Sequence, residues 1–595
     1  MSKKEILSGN QAIARGFYEA GGMVATAYPG SPTVDVIESM KSEYSDDIYS
    51  EFSMNEKVAL EVGIGSCYGG LRTLVTMKHV GVNICMDPLM SFTQSPIDAG
   101  FMLVSGDDPG MSSSQNEQDN RILGKFANMA IFDPADSQDA KDYVKAGLDI
   151  SEKYQMPVMM RITSRICHAR SLVEIGQREE KMGPKFSGKP SLSCMLPPHT
   201  FKHQYTMKER IEKLQEAAND LSINKLEEYG SDSLVITSGI CYYNFKEVCP
   251  DVDVLKLGMV YPLPIDKIKN LAKKYSKVIV IEEMMPFIEN ELKLNGIDCV
   301  GKEYFSFTNE LHSEVIEEGL VKIGVLKERK LLDPAKDDTT ARGPLFCAGC
   351  PHRPVFDILK KSKVTVVGDI GCYTMGLLYP WEVLKVNISM GASLGIIKGL
   401  RYAMDKQGDV DKPVVGVIGD GTFFHSGIPG FANLQYQLKG DENITMIVLD
   451  NATTAMTGGQ PTGESFHMDQ TGQDISIEAT LRNMGFDDIQ VIDQFNYKEA
   501  KEAIVGATKR KGVSVILTSR PCALRYKVKE TPFEVDPTIC IGCKTCIKTN
   551  CPPLRMKKYD GIEKLKSSID PNQCVGCGIC AQVCPVGAIK RKESK

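Results

Sequence analysis

The sequence has no long run of apolar residues and little excess of either charge. Its longest apolar stretches, such as VVGVIG and ITMIVLD, have the length of a strand, whereas a bilayer-spanning helix needs ~20 residues. The 70 basic and 76 acidic residues leave a net charge of −6, which argues against a dedicated nucleic-acid binder. The first residues, MSKKEILSGNQAIARGF, hold no apolar core of signal-peptide length. We therefore expect a cytoplasmic protein with neither a membrane nor a nucleic acid as partner.

Short apolar runs alternate with helical patterns through most of the 595 residues. This alternation predicts an α/β multidomain fold built on parallel sheets. A charged segment at about 168–230 is predicted to be a linker plus a charged helix with the sequence KERIEKLQEAANDL, and a second charged segment, 327–344, is predicted to be a linker. The predicted domains are a parallel-sheet domain at 1–185, a smaller α/β domain at 231–325, a second large parallel-sheet domain at 341–528 and a cysteine-rich tail at 530–595.

Cysteine is concentrated in the tail, where eight of the 19 cysteines lie between Cys540 and Cys584. Cytosolic chains rarely hold disulfides, so a dense group of cysteines there indicates metal binding or redox chemistry. The tail carries Cys-x2-Cys-x2-Cys-x4-Cys-Pro from 540 and Cys-x2-Cys-x2-Cys-x3-Cys-Pro from 574. In two-cluster bacterial ferredoxins, each cluster takes three cysteines from one motif and the last cysteine of the other. We predict two [4Fe–4S] clusters, held by a first cysteine set of Cys540, Cys543, Cys546 and Cys584 and a second cysteine set of Cys551, Cys574, Cys577 and Cys580.

A pair of structural zinc sites is the alternative for these eight cysteines. Zinc ribbons rarely carry three cysteines at successive x2 spacings followed by Cys-Pro, so the pattern favours iron–sulfur clusters. The first motif has x4 where x3 is usual, and we expect the extra residue to bulge its loop. Iron–sulfur clusters imply the transfer of single electrons rather than of a hydride.

A second pattern lies in the predicted domain 341–528. The strand VVGVIG runs into Gly419-Asp420-Gly421, and the next apolar strand ends at Asn451. Glycines at a strand end let a diphosphate approach the backbone, and Asp and Asn oxygens suit Mg²⁺. The pattern resembles the thiamin-diphosphate motif, which implies that the side chains of Asp420 and Asn451 and the carbonyl of Thr453 bind Mg²⁺. Two ordinary turns are the alternative, and the nearby His425 is a further candidate to face the cofactor.

Thiamin enzymes need a carboxylic acid beside the aminopyrimidine ring, and the first domain offers one. Glu56 heads the apolar, small-residue segment EKVALEVGIG. Ser53-x-x-Glu56 is also a capping box, which would give Glu56 a purely structural role. The thiamin motif elsewhere in the chain favours the catalytic interpretation, and Glu61 is the second candidate.

Two further loops of the first domain are candidates to meet the substrate. Lys78 and His79 follow the strand LRTLVT and are placed to bind a carboxylate or move a proton. The loop 28–33 is predicted to open a helix with Ser31 as its cap, and its free N–H groups suit a carboxylate. Ordinary turn residues are the alternative for both loops.

Taken together and in order, these motifs resemble the 2-oxoacid:ferredoxin oxidoreductases, most closely those that act on arylpyruvates. The resemblance rests on TAYPGSPT, NEKVALEVGIG, MKHVGVN, SSQNEQDNR, FCAGCPHR, GDIGCYTMG, GDGTFFHSGI, DNATTAMTGGQ and the tail. It implies that 1–185 binds the pyrimidine of thiamin diphosphate and that 341–528 binds the diphosphate. It also implies a transketolase C-terminal-like domain at 231–325 and a ferredoxin-like domain at 530–595.

The reaction implied is the oxidative decarboxylation of an arylpyruvate, such as indole-3-pyruvate. CoA takes the acyl group, CO2 leaves, and electrons pass through the clusters to ferredoxin. The alternatives are the same chemistry on pyruvate or 2-oxoglutarate, a non-oxidative decarboxylase, and an electron-transfer subunit without catalysis. The cysteine-rich tail argues against a non-oxidative decarboxylase. The presence of Glu56, Asp420 and Asn451 argues against an electron-transfer subunit without catalysis.

Three details of the resemblance bear on the site. Related pyruvate enzymes bind the substrate carboxylate with an arginine. No arginine lies between Lys78 and Asn120 in this chain. The candidates to bind the carboxylate are therefore Lys78, His79 and Arg121. No gamma-type domain is recognisable, so a smaller beta subunit should supply it. Relatives hold another cluster near the thiamin, for which the candidate ligands, here the third cysteine set, are Cys347, Cys350, Cys372 and Cys522. Plain thiols or a zinc site are the alternatives for this set.

Overall fold

The chain divides into two compact units, Met1–Asp337 and Asp338–Lys595, in a computed structural model. No helix within the described ranges is long and apolar enough to cross a membrane. Most of the predicted linker 327–344 and the outermost residues of the predicted domains at 1–185, 341–528 and 530–595 lie outside those ranges. The structure describes residues 3–328, 343–437, 440–465 and 474–592.

The first unit contains a seven-stranded sheet, a four-stranded sheet and a two-stranded ribbon. Val, Ile, Leu and Met dominate its strands, as expected for strands with both faces buried. The strands are β1 (Lys3–Ser8), β2 (Val24–Ala27), β3 (Tyr49–Phe52), β4 (Thr73–Lys78), β5 (Phe101–Asp107), β6 (Ala130–Phe132), β7 (Val158–Thr163), β8 (Arg170–Ile175), β9 (Lys225–Glu227), β10 (Ser233–Ser238), β11 (Asp253–Leu257), β12 (Met259–Tyr261) and β13 (Lys277–Ile281).

Helices separate most of these strands along the chain. They are α1 (Gly9–Glu19), α2 (Val34–Glu43), α3 (Glu56–Tyr68), α4 (His79–Ile84), α5 (Met86–Phe92), α6 (Asn120–Phe126), α7 (Ser137–Lys153), α8 (Ser164–His168), α9 (Pro190–Ser193), α10 (His199–Ala217), α11 (Cys241–Val248), α12 (Ile265–Ala272), α13 (Phe287–Leu294) and α14 (Ser313–Ile323).

The seven-stranded sheet has the order β12-β6-β7-β5-β4-β2-β3. Its strands are parallel except β12, which pairs antiparallel with β6. Alternate residues of β5 enter different cores: Phe101 and Leu103 one, Met102 and Val104 the other. The sheet is therefore buried on both faces, and its edge at the carboxyl ends of the strands is left for function.

The four-stranded sheet has the order β13-β10-β11-β9, with only β9 antiparallel. Leu234 and Ile236 of β10 pack into a core shared with the large sheet. The segment 168–230 contains the predicted charged helix as α10, which begins earlier, at His199, and buries Leu214 in the core of the large sheet. It also contains a strand that was not predicted, β8, which pairs with β1.

The second unit is built on a six-stranded, wholly parallel sheet of order β15-β14-β16-β17-β19-β18, followed by two antiparallel ribbons in the tail. Its strands are β14 (Thr365–Val367), β15 (Leu384–Val386), β16 (Val414–Gly419), β17 (Asn443–Asp450), β18 (Ile489–Ile492), β19 (Gly512–Ser519), β20 (Phe533–Val535), β21 (Leu554–Tyr559), β22 (Ile562–Ile569) and β23 (Ile589–Arg591). Its helices are α15 (His352–Ser362), α16 (Ala392–Lys406), α17 (Asp420–Thr422), α18 (Ile428–Tyr436), α19 (Ile477–Asn483), α20 (Tyr497–Ala507) and α21 (Ile579–Gln582).

Candidate functional site

The strand ends of the second unit bring Asp420 and Asn451 together. Asp420 follows β16 and Asn451 follows its parallel neighbour β17. The Thr453 N–H donates to Asp420 Oδ2 at 2.9 Å and to Asn451 Oδ1 at 3.2 Å. All three residues are buried. The Thr453 N–H therefore links the two predicted ligand side chains, which come from neighbouring strand ends.

A second carboxylate, Asp450, lies beside Asp420, and sequence reasoning missed it. Burial, and after it the Asp450 carboxylate, raise the pKa of Asp420 well above its ordinary value. Burial also raises the pKa of Asp450. Paired buried carboxylates are a donor set that a hard divalent cation would stabilise. Within the described ranges no three His, Cys, Asp or Glu side chains form a metal site by themselves, so amide, carbonyl and phosphate oxygens would complete the coordination of Mg²⁺.

The backbone on both sides of Asp420 leaves no room for side chains. A Cβ at Gly419 would lie 2.6 Å from the Tyr373 ring, and one at Gly421 would lie 2.9 Å from Thr454 Oγ1. Asp369, at the end of β14, accepts hydrogen bonds from the N–H groups of Gly391 at 2.9 Å and Ser393 at 3.1 Å at the start of α16. The sequence signal for Asp369 was its GDIG motif, which follows a strand as the GDG motif does.

Two histidines lie in this region. His425 is buried in a short π-helix, Phe423–Gly427, and its Nδ1 lies 2.7 Å from Ser426 Oγ. His352, which sequence reasoning missed, is buried with Nε2 3.3 Å from Nδ2 of Asn451. Burial lowers the pKa of His352 to about 4. Its neutral imidazole can therefore accept a hydrogen bond from the Asn451 amide and orient the amide oxygen.

In the first unit, Glu56 is the first residue of α3 and is buried. The alternative role of Glu56, in a capping box with Ser53, does not match the structure. Asn55 is the cap, with Oδ1 accepting the Val58 N–H at 2.9 Å, while Ser53 Oγ donates to Glu51 at 2.6 Å. The carboxyl group of Glu56 instead lies against Gly81 of α4.

The second candidate, Glu61, occupies a different environment. It is half-exposed and forms an i,i+4 ion pair with Lys57 on the outer face of α3. Of the two glutamates, only Glu56 lies where a buried cofactor ring would find a desolvated carboxyl group.

Lys78 and His79 lie at the carboxyl end of β4 and both hold the segment 113–116. Lys78 Nζ donates to the Ser113 carbonyl at 2.7 Å, and His79 Nε2 lies 3.0 Å from Asn116 Oδ1. His79 is fully buried, and its Nδ1 lies 3.2 Å from the Gly106 carbonyl. Burial lowers the pKa of Lys78, although Asp108 opposes the change. Both side chains therefore hold the segment 113–116 against the carboxyl end of β4.

Arg121, the remaining candidate to bind the substrate carboxylate, is instead occupied by ion pairs within the protein. Its buried guanidinium donates to Asp119 at 2.6 Å and to Glu282 at 2.8 Å. The loop 28–33 also differs from its prediction: α2 begins at Val34 after Thr33, so Ser31 is not its cap. A Cβ at Gly30 would lie 3.0 Å from the Cβ of Lys78, so this loop packs beside the lysine.

The tail brings cysteines of its two motifs together. Burial raises the pKa of the Cys546 thiol, and the neighbouring thiols of Cys540 and Cys584 add to the rise. Burial likewise raises the pKa of Cys580, with further contributions from Cys577, Cys551 and Cys574 of the second cysteine set and, after them, from Cys546 of the first. That set lines one cavity, formed by Cys551, Cys574, Cys577 and Cys580. Cys543 is exposed at the protein surface.

The third cysteine set gathers beside the thiamin motif. Burial raises the pKa of Cys372 to about 12, and the thiols of Cys522 and Cys347 and the carboxylate of Asp420 contribute. Cys350 is in turn influenced by Cys372 and Cys347. The Cys522 N–H donates to the Asn451 carbonyl at 2.9 Å. The thiols of this set therefore influence one another electrostatically, and the Cys522–Asn451 hydrogen bond joins the set to the predicted Mg²⁺ ligands.

Comparison with family models assigns three parts of the chain. Residues 15–224 match the thiamine-diphosphate-binding domain of pyruvate flavodoxin/ferredoxin oxidoreductases. Residues 369–517 match the C-terminal TPP-binding domain of thiamine pyrophosphate enzymes. Residues 568–590 match the 4Fe-4S binding domain. These matches define the class: an oxidoreductase of the 2-oxoacid:ferredoxin type that uses thiamin diphosphate and iron–sulfur clusters.

Full-length relatives narrow the class. The chain is 36% identical to "Indolepyruvate oxidoreductase subunit IorA" of Archaeoglobus fulgidus, covering 100% of this chain and 98% of the relative. It is also 36% identical to the protein of the same name from Pyrococcus horikoshii, covering 99% and 97%. The chain belongs to this indolepyruvate oxidoreductase IorA family, and the predictions of an α/β multidomain fold and a 2-oxoacid oxidoreductase are confirmed.

Among solved structures, the chain is similar to a 2-oxoglutarate:ferredoxin oxidoreductase from Magnetococcus marinus. The TM-score is 0.45 at 16% identity, over 55% of this chain and 66% of that one.

Proposed function

We propose that this chain oxidatively decarboxylates arylpyruvates, indole-3-pyruvate among them, with CoA as acyl acceptor and ferredoxin as electron acceptor. The observation that carries the proposal is the full-length similarity to relatives named indolepyruvate oxidoreductase, which includes both thiamin regions and the tail. A non-oxidative decarboxylase would have no use for the tail cysteines.

Thiamin diphosphate supplies the carbanion chemistry when it is bound. Asp420, Asn451 and the Thr453 carbonyl would hold its Mg²⁺, and the close-packed Gly419 and Gly421 would let the diphosphate approach the backbone. Glu56 would provide the carboxyl group that exchanges a proton with the aminopyrimidine ring. Its buried place beside Gly81 supports this role, because the carboxyl group is fixed by packing and shielded from bulk water.

Lys78 would bind the carboxylate of the 2-oxoacid. Its ammonium group is held by the Ser113 carbonyl, and its surroundings are largely desolvated, which strengthens attraction to an anion. His79 would position Asn116 beside it. The arginine-free stretch between Lys78 and Asn120 supports a site that differs from that of the pyruvate enzymes.

Three clusters would carry the electrons away singly. The third cysteine set would hold the cluster beside the thiamin site, since Cys372 is influenced by Asp420. The second and first sets in the tail would continue the path. The exposed Cys543 marks a cluster near the surface, where external ferredoxin could collect the electrons.

A second, smaller subunit carrying the gamma-type domain would complete the enzyme. The relatives are named as subunits, which supports a complex of this kind. We propose the cytoplasm as its location, because exposed cysteine–iron chemistry is favoured where thiols stay reduced.

An anaerobic assay of the purified complex tests the proposal. It compares indolepyruvate, phenylpyruvate, pyruvate and 2-oxoglutarate, each with and without CoA and with a viologen as electron acceptor. The expected result is CoA-dependent viologen reduction with the two arylpyruvates at a kcat/KM at least about tenfold above the others. Preference for pyruvate or 2-oxoglutarate would overturn the substrate assignment, and CO2 release without viologen reduction would overturn the oxidative one.

A further inference from the structure

Arg353 joins two cysteine-bearing loops in the second unit. It lies on α15, three residues after Cys350, and only 2% of it is exposed. Its Nη1 donates to the Thr549 carbonyl at 2.9 Å and to that of Asn550. Its Nη2 donates to the Phe346 carbonyl at 2.5 Å and to that of Cys347. One side chain thus clamps the backbone just before Cys551 to the backbone around Cys347.

The loop around Cys347 also packs against the second tail motif. Gly349 has φ +68°, and a Cβ there would lie 2.2 Å from Cγ2 of Val575, which follows Cys574. Burial raises the pKa of the Cys551 thiol, and the Gly349 backbone opposes that rise. A loop of the third cysteine set therefore packs against a loop that carries cysteines of the second set, which would give an electron a short route.

The charge of Arg353 lacks a counter-charge among protein side chains. Within the described ranges it forms no ion pair with a carboxylate, and its buried Nε has no hydrogen-bond partner. It lines the same cavity as the second cysteine set. A buried guanidinium without a neighbouring anion is strongly destabilising. The buried anions that would offset this cost are clusters held by thiolates.

The arrangement distinguishes Arg353 from other buried arginines. Arg401 is equally buried, but it forms an ion pair with Asp405 at 2.7 Å and lies on α16. Arg353 instead lowers the pKa of Cys551 and Cys577 on one side and of Cys347 and Cys350 on the other, although burial raises the pKa of each thiol overall. Its positive charge therefore favours negative charge on both sets.

We propose that Arg353 is a positioning residue that fixes the junction between the cluster of the third cysteine set and that of the second, and whose charge raises the reduction potential of both. The inference rests on the proposed function for the existence of the third cluster. One electron would leave the reduced third cluster and enter the oxidised second cluster, with no bond made or broken and no proton transferred. The Arg353 charge between the two cysteine sets would stabilise the added electron on either cluster.

Redox titration of the anaerobic holoenzyme complex, followed by EPR, tests this. In Arg353→Gln, the ratio of reduced to oxidised cluster at a given solution potential should fall about tenfold for the second and third clusters, a shift of about 59 mV for one electron. The reduction potential of the first cluster should stay unchanged. Arg353→Lys, which keeps the charge, should shift the potentials of the second and third clusters less. The matched control Arg401→Gln should leave all three potentials unchanged. Full iron content with wild-type potentials in Arg353→Gln, or an equal shift in Arg401→Gln, would overturn the inference.

A second measurement needs no loss-of-charge variant, in case Arg353→Gln fails to load iron. In wild-type enzyme from cells grown with ¹⁵N-arginine, HYSCORE spectra of the reduced clusters should show a ¹⁵N coupling. The spectra of the Arg353→Lys variant, labelled in the same way, should lack that coupling. Absence of that coupling in the wild type would overturn the inference. Failure of the proposed function is separately visible, because wild-type enzyme would then hold fewer than about twelve iron atoms per chain, the content of three [4Fe–4S] clusters.

Discussion

The carboxyl group of Glu56 occupies the space that a side chain at Gly81 would need. A Cβ built at Gly81 would lie 2.6 Å from Cγ and 2.7 Å from Oε1 of Glu56. Asn55 caps α3, so the glutamate is not held by a capping box. Glycine at position 81 therefore helps to set where the carboxyl group points.

Gly81→Ala should displace Glu56 and lower kcat by about ten- to a hundredfold, since a misplacement of about 1 Å can cost 10²-fold. The matched control is Gly65→Ala on α3, where a Cβ meets nothing within 4 Å. Steady-state kinetics measure the effect, and thiamin content and cluster EPR signals should stay unchanged. Equal kcat in the two variants would show that Gly81 does not constrain Glu56.

Glu56→Gln should abolish turnover, with a loss of about 10²- to 10⁴-fold, because an amide cannot exchange the proton that a carboxyl group exchanges. Glu61→Gln should keep wild-type activity, since Glu61 is half-exposed and paired with Lys57. Viologen reduction measures turnover, and EPR confirms that the clusters remain. Normal activity in Glu56→Gln would remove this residue from its role.

Asp420→Ala should weaken the binding of Mg²⁺ and thiamin diphosphate together. The substitution removes a buried carboxylate and the acceptor of the Thr453 N–H, so the turn that carries Asn451 also loses a hydrogen bond. Titration calorimetry should show at least about a tenfold loss of affinity, the equivalent of about 1.4 kcal/mol. The control is Asp409→Ala, whose side chain pairs with Lys412 on the surface. An unchanged Asp420→Ala affinity would contradict the assignment.

The affinity for Mg²⁺ should keep rising with pH well above pH 3.8. Burial, and after it Asp450, raise the pKa of Asp420 above that ordinary value, so the folded protein holds protons that the unfolded chain has released. The free energy of unfolding of the cofactor-free protein therefore falls as pH rises through that window. Mg²⁺ binds the ionised carboxylate, so its affinity rises over the same window. Calorimetry in the presence of thiamin diphosphate checks this, and an affinity that is flat above about pH 5, where an ordinary Asp is ionised, would contradict it.

The sequence predicted those parts of the fold that depend on local pattern. Continuous apolar strands ending in Gly-Asp-Gly indicated a parallel sheet with a site at its edge, and cysteine spacing indicated a ferredoxin tail. The sequence could not show which buried groups meet from distant positions. Asp369 lies in GDIG, and His352 and Arg353 lie in FCAGCPHR, but neither motif shows which distant groups these residues meet. Their partners come from strand ends and loops far along the chain.

Local rules have limits at helix starts. Ser31 was predicted to cap α2, but α2 begins at Val34 after Thr33, and Ser53-x-x-Glu56 fits a capping box although Asn55 caps α3. Arg121 was a candidate to bind the substrate, but Asp119 and Glu282 neutralise its charge. For α3 and for Arg121, a competing hydrogen bond or ion pair, invisible in the sequence pattern, decided the outcome.

The assignment of Cys584 to the first cysteine set and of Cys551 to the second, each across the two tail motifs, can be tested by substitution. If Cys584 completes the first cysteine set, Cys584→Ser should disturb the cluster of Cys540 and Cys546, although it lies in the other motif. Mössbauer and EPR spectra should show the cluster of the first cysteine set altered or lost, with the cluster of the second cysteine set unchanged. Cys551→Ser should do the reverse, altering the cluster beside Arg353. The exposed Cys194 provides the control, and Cys194→Ser should leave all iron in place. If Cys584→Ser instead altered the cluster of Cys574, Cys577 and Cys580, each motif would hold its own cluster and the crossed assignment would be wrong.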